Sequence, residues 1–582
     1  MYKISQKLQK SAKPRFHIIL IKPSKYDDDG YVISWFRGVI TSNSLACLNA
    51  LTENIQAHEV LGPNIEIVIH RYDETVQRIP VERLTQRIRK AGERGIVCLV
   101  GVQSNQFPRA VDLARQFRKE GFHSMIGGFH VSGCLEMLPE LPLEIKQAAD
   151  EGITLVAGEI EERWGDLIKA AYENKLQSIY NFVEDKPALK GVPGPILPEI
   201  NLKYFASAHS SFDAGRGCPF KCSFCTIINV QGNTMRGRVA DDIEKLVRAN
   251  YAHGIDHIFI TDDNFARHPD WESIADRIIQ LKEKEGLEIY LMIQVDTLAH
   301  RIPRFIEKMA RAGCRRVFIG IESVNPDNLL ATDKRQNRIS EYRQMLQAWR
   351  SQGVVTYAGY IIGFPGDTYE SIMRDVEYLK RELPLDFAEF FIMTPLPGSK
   401  DHQKYYLSHV PMDHDMNRYE TNHVVMDHPK MSRGELERAY QDAWRSFYSK
   451  EHMLTLLARR RKIGGGHRVA LSLIWFRSCI FVEGVHPLLG GVIRLKGRKS
   501  RRSNFPRESF LPYYLRRTIE IVGNLLKLGA VALEIYLLRM KSKRPEHADY
   551  SDVAIAPEPK EEKNQNITFL PEAQPVQAAR IS

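Results

Sequence analysis

No clean apolar run of about 20 residues, the length a membrane span requires, occurs in this 582-residue chain. Cysteine is scarce, eight in all, which excludes a disulfide scaffold. The opening MYKISQKLQKSAKPRF is basic but lacks the apolar stretch of a secretory signal. A reducing cytoplasm is therefore expected, where thiols stay free to hold metal. No GxGxxG follows the first apolar run, where KPSKYDDDG stands instead, so a dinucleotide fingerprint is missing. GFPGDT lacks the lysine of a phosphate-cradling GxxxxGK[ST] loop, which removes nucleotide hydrolysis. No internal repeat is evident. With 43% hydrophobic and 26% charged residues, the chain has enough apolar material for two or three packed domains.

The net charge of +10 is unevenly spread. Between Arg459 and Arg544 stand 20 basic and 4 acidic residues, a local excess of 16, so the rest of the chain sums to −6. A basic C-terminal region follows an acidic body.

Five apolar runs in the first part, FHIILIK, IEIVIH, GIVCLVGV, HSMIGG and ITLVAGE, alternate with helical patterns such as RAVDLARQFRKEG. Near-continuous apolar strands between helices predict a parallel sheet covered on both faces. This gives an α/β, doubly wound domain over 1–184, with ligands at the strands' C-terminal ends. DKPALKGVPGPILPE marks a linker, 185–203. A second β/α series occupies 204–400, its strands ending in polar or glycine-containing loops, as expected of a full or partial barrel. Residues 401–545 read as mainly helical, and 546–582, with APEPKEEKNQN, as a flexible tail.

Three cysteines cluster in RGCPFKCSFC: Cys218, Cys222 and Cys225. Soft thiolates this close select zinc, copper or iron–sulfur. No fourth ligand stands at zinc spacing, whereas a [4Fe–4S] cube on three thiolates leaves one iron open. The other five cysteines are dispersed, and Cys98 reads as a small buried hydrophobe. Asp262 and Asp263 in TDDNF read as a strand-end site ordering a loop, with a divalent-metal pair as the alternative.

CPFKCSFC resembles the cluster motif of radical S-adenosylmethionine enzymes. The likeness extends over roughly 204–399 through ITDDNF, VFIGIES, YIIGFPGDT and TPLPGS. It implies a partial (β/α)6 barrel and a [4Fe–4S] cluster on Cys218, Cys222 and Cys225. It also implies that Phe224 borders the adenine of S-adenosylmethionine and that Glu322 approaches its ribose or methionine portion. VGVQSNQ, IGGFHVSG and VAGEIEE resemble the cobalamin-binding domain often fused before this barrel. The resemblance implies cofactor contacts at Ser104, Gly127, Gly128, His130, Gly158 and Glu159, with glycines letting the backbone approach a large ligand. Ile160 departs from that family's GEGE, and the cobalt-ligating D-x-H-x-x-G is absent, so no axial ligand is named.

Two stretches, Val469–Ile493 and Ile519–Met540, are apolar but broken by charges, with RLKGRKSRRSNFPR between them. Attachment of 459–544 to an anionic membrane surface is the first expectation, ordinary packing on the barrel the second, and RNA binding the third. The combined reading is a cobalamin-dependent radical enzyme methylating an unactivated carbon of an apolar or lipid-like substrate. It would be fed by an external electron donor such as flavodoxin or ferredoxin and sit in the cytoplasm or on the inner face of the membrane. The alternatives are non-methylating radical chemistry on the same scaffold, and an RNA-binding or scaffold protein.

Overall fold

The computed structural model describes residues 13–206 and 209–556. The N-terminal basic segment before residue 13 and the chain after 556 lie outside them.

The first sheet holds β1 (Arg15–Lys22), β2 (Glu66–Asp73), β3 (Arg94–Leu99), β4 (His123–Gly127), β5 (Thr154–Gly158) and β6 (Ile179–Phe182). Its order is β2-β1-β3-β4-β5-β6, and every pairing is parallel. Ile18, Ile19, Leu20 and Ile21 of β1 are all buried, because helices cover both faces. Helix α1 (Phe107–Lys119) shows how the cover forms. Pro108 suits its first turn, and Ala110, Leu113, Ala114 and Phe117 repeat at helical spacing to make one buried stripe. The five expected strands are present. The sixth, β6, is short and half-polar, which is why no apolar run marks it.

The second sheet runs β7 (His209–Phe212), β8 (His257–Ile260), β9 (Tyr290–Val295), β10 (Cys314–Glu322), β11 (Val355–Ile362) and β12 (Phe387–Ile392), paired in sequence order and all parallel. β7 and β12 form its two edges, so the barrel is partial.

The C-terminal region seals this barrel. Helix α2 (Gly466–Ser478) lays Phe476 against Tyr357 and Phe387, and Ser472 Oγ lies 3.1 Å from the Tyr357 hydroxyl. The apolar stretch Val469–Ile493 is therefore no single span. After α2 the helix winds on as a π-helical segment through Cys479–Glu483 and ends at Gly484, and Val492–Leu495 pairs antiparallel with Ser34–Arg37 of the N-terminal domain. Ordinary packing thus accounts for α2. Helix α3 (Phe510–Ser542) is different: of 33 residues only Tyr513, Arg517, Ile535 and Ser542 are buried. It is the one helix among the described residues long and apolar enough to cross a membrane. At 1.5 Å per residue it is about 50 Å long.

Much of the basic cluster is neutralised within the molecule. Arg494 pairs with Asp27 at 2.8 Å, Lys496 with Glu520 at 3.1 Å, Arg516 with Glu508 at 2.7 Å and Arg502 with Asp415. Residues 546–556, placed by composition in the tail, pack on the barrel side. Ala554 is buried, and Asp552 accepts from the Arg459 guanidinium at 2.7 Å.

Candidate active site

The three cysteines lie on the loop between β7 and the short helix Ile227–Val230, at the C-terminal edge of the barrel. Glycine at 217, with φ of 94°, lets the chain turn into that loop against the Thr234 carbonyl. Cys222 is buried; Cys218 and Cys225 are half-buried. Neutral donors face two of them: Gln336 Nε2 at 3.3 Å from Cys222 Sγ and Asn264 Nδ2 at 3.9 Å from Cys218 Sγ. Such donors stabilise charge on cluster sulfur. Burial pushes the Cys225 thiol up to about 12, so its thiolate depends on metal binding.

Glu322, at the end of β10, has φ of 63°, a left-handed conformation rare outside glycine. Its carboxylate accepts from Lys334 Nζ at 2.8 Å, and that ammonium lies 5.5 Å from the centroid of the Phe224 ring. The residues expected around S-adenosylmethionine, Phe224 and Glu322, are thus joined through Lys334, which no motif had marked. Gly320, Gly359 and Glu389 stand in register on three neighbouring strands and share one face with Phe318 and Phe391. Burial raises Glu389 to about 8. Its Oε2 has no hydrogen-bond partner among the described residues and lies 3.7 Å from His486 Nε2.

Asp262 accepts from the Ala214 backbone N–H at 2.7 Å, ordering the strand before the cluster loop. GFPGDT is a self-closed turn, in which Asp367 accepts from the N–H groups of Gly363 at 3.0 Å and Phe364 at 2.9 Å.

The C-terminal edges of the two sheets face each other. Gly133 sits against the Pro397 carbonyl and Gly398, where any side chain would collide. Glu159 accepts from Arg216 at 2.7 Å, and Arg216 also pairs with Glu161 at 2.6 Å and Asp213 at 2.9 Å, all with nearly buried side chains. Glu159, expected to contact a cofactor, is thereby engaged across the domain junction. The glycines also serve the protein itself. A Cβ on Gly128 would lie 2.1 Å from the Val102 nitrogen, and one on Gly158 2.3 Å from the Phe182 carbonyl. Gly127 lies beside the Val156 carbonyl. The close approach at these glycines is of backbone to backbone.

His130, on helix Phe129–Met137, is fully buried against Phe107 and lies 3.2 Å from Ser104 Oγ. Burial lowers it to about 3, so the ring is neutral. His130 Nε2 and Asn105 Oδ1 are buried without hydrogen-bond partners among the described residues. Unsatisfied polar atoms at this edge fit a domain that receives a polar ligand there.

A partial barrel with three cysteines of this spacing after its first strand is the architecture of a radical S-adenosylmethionine enzyme. Residues 214–379 match the model of the radical SAM superfamily. The bacteriochlorophyllide d C-8(2)-methyltransferase of Chlorobaculum tepidum is 25% identical over 328 residues, 53% of this chain and 68% of that protein. The hopanoid C-2 methylase of Rhodopseudomonas palustris is 24% identical over 282 residues, 47% of this chain and 51% of that protein. Matches thus span between about half and two-thirds of these relatives' own lengths. The fold is shared with the cobalamin-dependent S-adenosylmethionine radical enzyme OxsB at a TM-score of 0.54. That likeness covers 93% of this chain and 82% of that one at 13% identity. The chain thus carries a radical SAM domain at residues 214–379 and shares its overall fold with an enzyme of that class in which a further domain precedes the barrel. A [4Fe–4S] cluster and S-adenosylmethionine are the cofactors of that class.

Proposed function

We propose that this enzyme uses cobalamin together with S-adenosylmethionine to methylate an unactivated carbon of an apolar, lipid-like substrate. The carrying observation is the apposition of the two sheet edges, which brings the cluster loop and the N-terminal ligand edge to one junction across Glu159 and Arg216. Methylcobalamin, when bound, supplies a methyl group that a carbon radical can take, which a direct attack on the sulfonium by such a carbon could not achieve. The chain's own residues then have distinct tasks. Cys218, Cys222 and Cys225 hold the cluster; Glu322, Lys334 and Phe224 orient S-adenosylmethionine; Ser104, Asn105 and His130 offer polar contacts to the corrinoid's periphery. Position is what the protein contributes, since a radical must meet its target before it meets a stray donor.

The apolar character of the substrate is supported by two relatives named for bacteriochlorophyllide and hopanoid methylation, and by the exposed α3. Along α3, Leu511, Leu515, Ile519, Val522 and Leu526 form an exposed stripe. Lys527, Arg539, Lys541 and Lys543 make no ion pair among the described residues. This combination suits an anionic bilayer surface, which would place the enzyme peripherally on a membrane. An external reductant, flavodoxin or ferredoxin, would supply the electron.

The test is turnover of S-adenosylmethionine carrying a deuterated methyl group, with a lipid extract as substrate. A deuterated methyl in an apolar product, formed with S-adenosylhomocysteine, supports methylation. Deoxyadenosine without labelled product would favour cyclisation, coupling or oxidation on the same scaffold. Flotation with phosphatidylglycerol vesicles tests the membrane part.

A further inference from the structure

Between α2 and α3 lies an open cleft of about 300 Å³, flanked on a third side by residues 491–494. Its walls are almost wholly apolar: Leu471 and Trp475 from α2 and Ile521, Leu525 and Leu528 from α3. Five polar side chains break this lining: Ser478, Glu483, Arg494, Arg517 and Asn524. Ser478 Oγ and Arg494 Nε are buried and have no hydrogen-bond partner among the described residues. Arg494 is 6% exposed, and its Nη2 is held by Asp27 at 2.8 Å. The guanidinium is thus fixed, with one N–H unsatisfied in the wall of the cavity. Buried donors of this kind are normally satisfied, and an apolar cavity does not hold water well.

The cavity also has a location. Ile521, Leu525 and Leu528 line it, while Ile519, Val522 and Leu526 of the same helix belong to the exposed stripe. A chain leaving the surface that covers the stripe would need only to pass α3 to enter. We infer that this cavity is a lipid-binding site. It takes one apolar chain of an anionic lipid from the bilayer, with an ester or headgroup oxygen accepting from Ser478 and Arg494. The volume is at the small end of ligand pockets, enough for part of a chain and too small for a fused-ring body. The site is separate from the cluster loop and would anchor the enzyme rather than present the carbon to be methylated. The inference rests on the membrane reading above, because the lipid's source is the surface that α3 touches.

Trp475 is a built-in reporter. Its indole N–H donates to the Pro487 carbonyl at 3.2 Å, and its ring lines the cavity. The experiment mixes the full-length protein with phosphatidylglycerol vesicles whose acyl chains carry bromine, a contact quencher of indole. The Trp475 component is the difference between the parent and Trp475→Phe. At least a twofold loss of that component is expected. A filled cavity, Ile521→Phe with Leu525→Phe, should abolish the quenching while flotation is retained, which also shows that the variant is folded. Flotation without quenching of Trp475 would overturn the lipid site and leave the membrane reading standing. Failure to float would remove the membrane reading. Dispersed dibromodecanoate, added without vesicles, then decides the cavity: quenching supports chain binding and its absence overturns it.

Discussion

Glu159, on the loop that closes β5, accepts a 2.7 Å ion pair from Arg216, two residues before the first cluster cysteine. The contact joins the ligand edge of the N-terminal sheet to the start of the cluster loop. Both side chains are about nine-tenths buried, so the pair is little screened by solvent. Glu159→Gln is expected to destabilise the protein by about 1–3 kcal/mol, since Arg216 keeps Glu161 and Asp213 while Arg236 loses the carboxylate it pairs with. Urea unfolding of the single variants Glu159→Gln and Arg216→Met and of the double variant measures the coupling. Additivity within about 0.5 kcal/mol would mean the two residues act independently.

The cysteines should divide by role. Cys222→Ala is expected to abolish the charge-transfer absorbance of the reconstituted cluster and to cut bound iron severely. Cys98→Ala, buried in β3 and far in sequence from the motif, should leave iron content unchanged and cost about 1 kcal/mol of stability through the small cavity it leaves. Equal iron loss in both would contradict the assignment.

Glu322 combines a left-handed backbone with an ion pair to Lys334. Two substitutions separate these. Glu322→Ala and Glu322→Gly both remove the carboxylate, but only glycine suits φ of 63°. The glycine variant should be more stable than the alanine variant by about 1 kcal/mol, while both retain S-adenosylmethionine poorly. Thermal unfolding and equilibrium dialysis read the two effects. Equal stability would mean the backbone there is not strained.

His423 gives the stability a pH dependence. Burial alone would lower it, but the Glu420 and Asp28 carboxylates raise it to about 9. A raised imidazole contributes stability that is fully present below about 6.5 and is lost as pH rises through about 9. The contribution is on the order of 3 kcal/mol. His423→Gln should flatten the stability profile between these limits in denaturant titrations at stepped pH. A parent profile that is already flat there would contradict the pairing.

Local signals carried most of the architecture into the sequence. Apolar runs bounded by glycine mark the strands, and RGCPFKCSFC marks the cluster loop because its chemistry is contained in ten residues. Relationships across long separations left no such trace. Lys334 and Gln336 stand in an ordinary polar loop and acquire meaning only when folding brings them to Glu322 and Cys222. Arg216 looks like any arginine until Glu159 arrives from another domain. Glycines 128 and 158 were legible as special but not as to cause, since a close approach to protein and one to a ligand demand the same residue. The two apolar C-terminal stretches look alike in composition. They part only in the structure, where α2 finds the barrel to cover and α3 does not.

The central claim is that one chain carries both a cluster and a corrinoid. Anaerobic reconstitution with iron, sulfide and hydroxocobalamin, then gel filtration and elemental analysis, tests it most directly. About four irons and about one cobalt per chain should be retained, with cobalt lost and iron kept when the N-terminal ligand edge is altered by His130→Trp. Retention of iron with no cobalt in the parent protein would contradict it, leaving a radical enzyme whose N-terminal domain only supports the barrel.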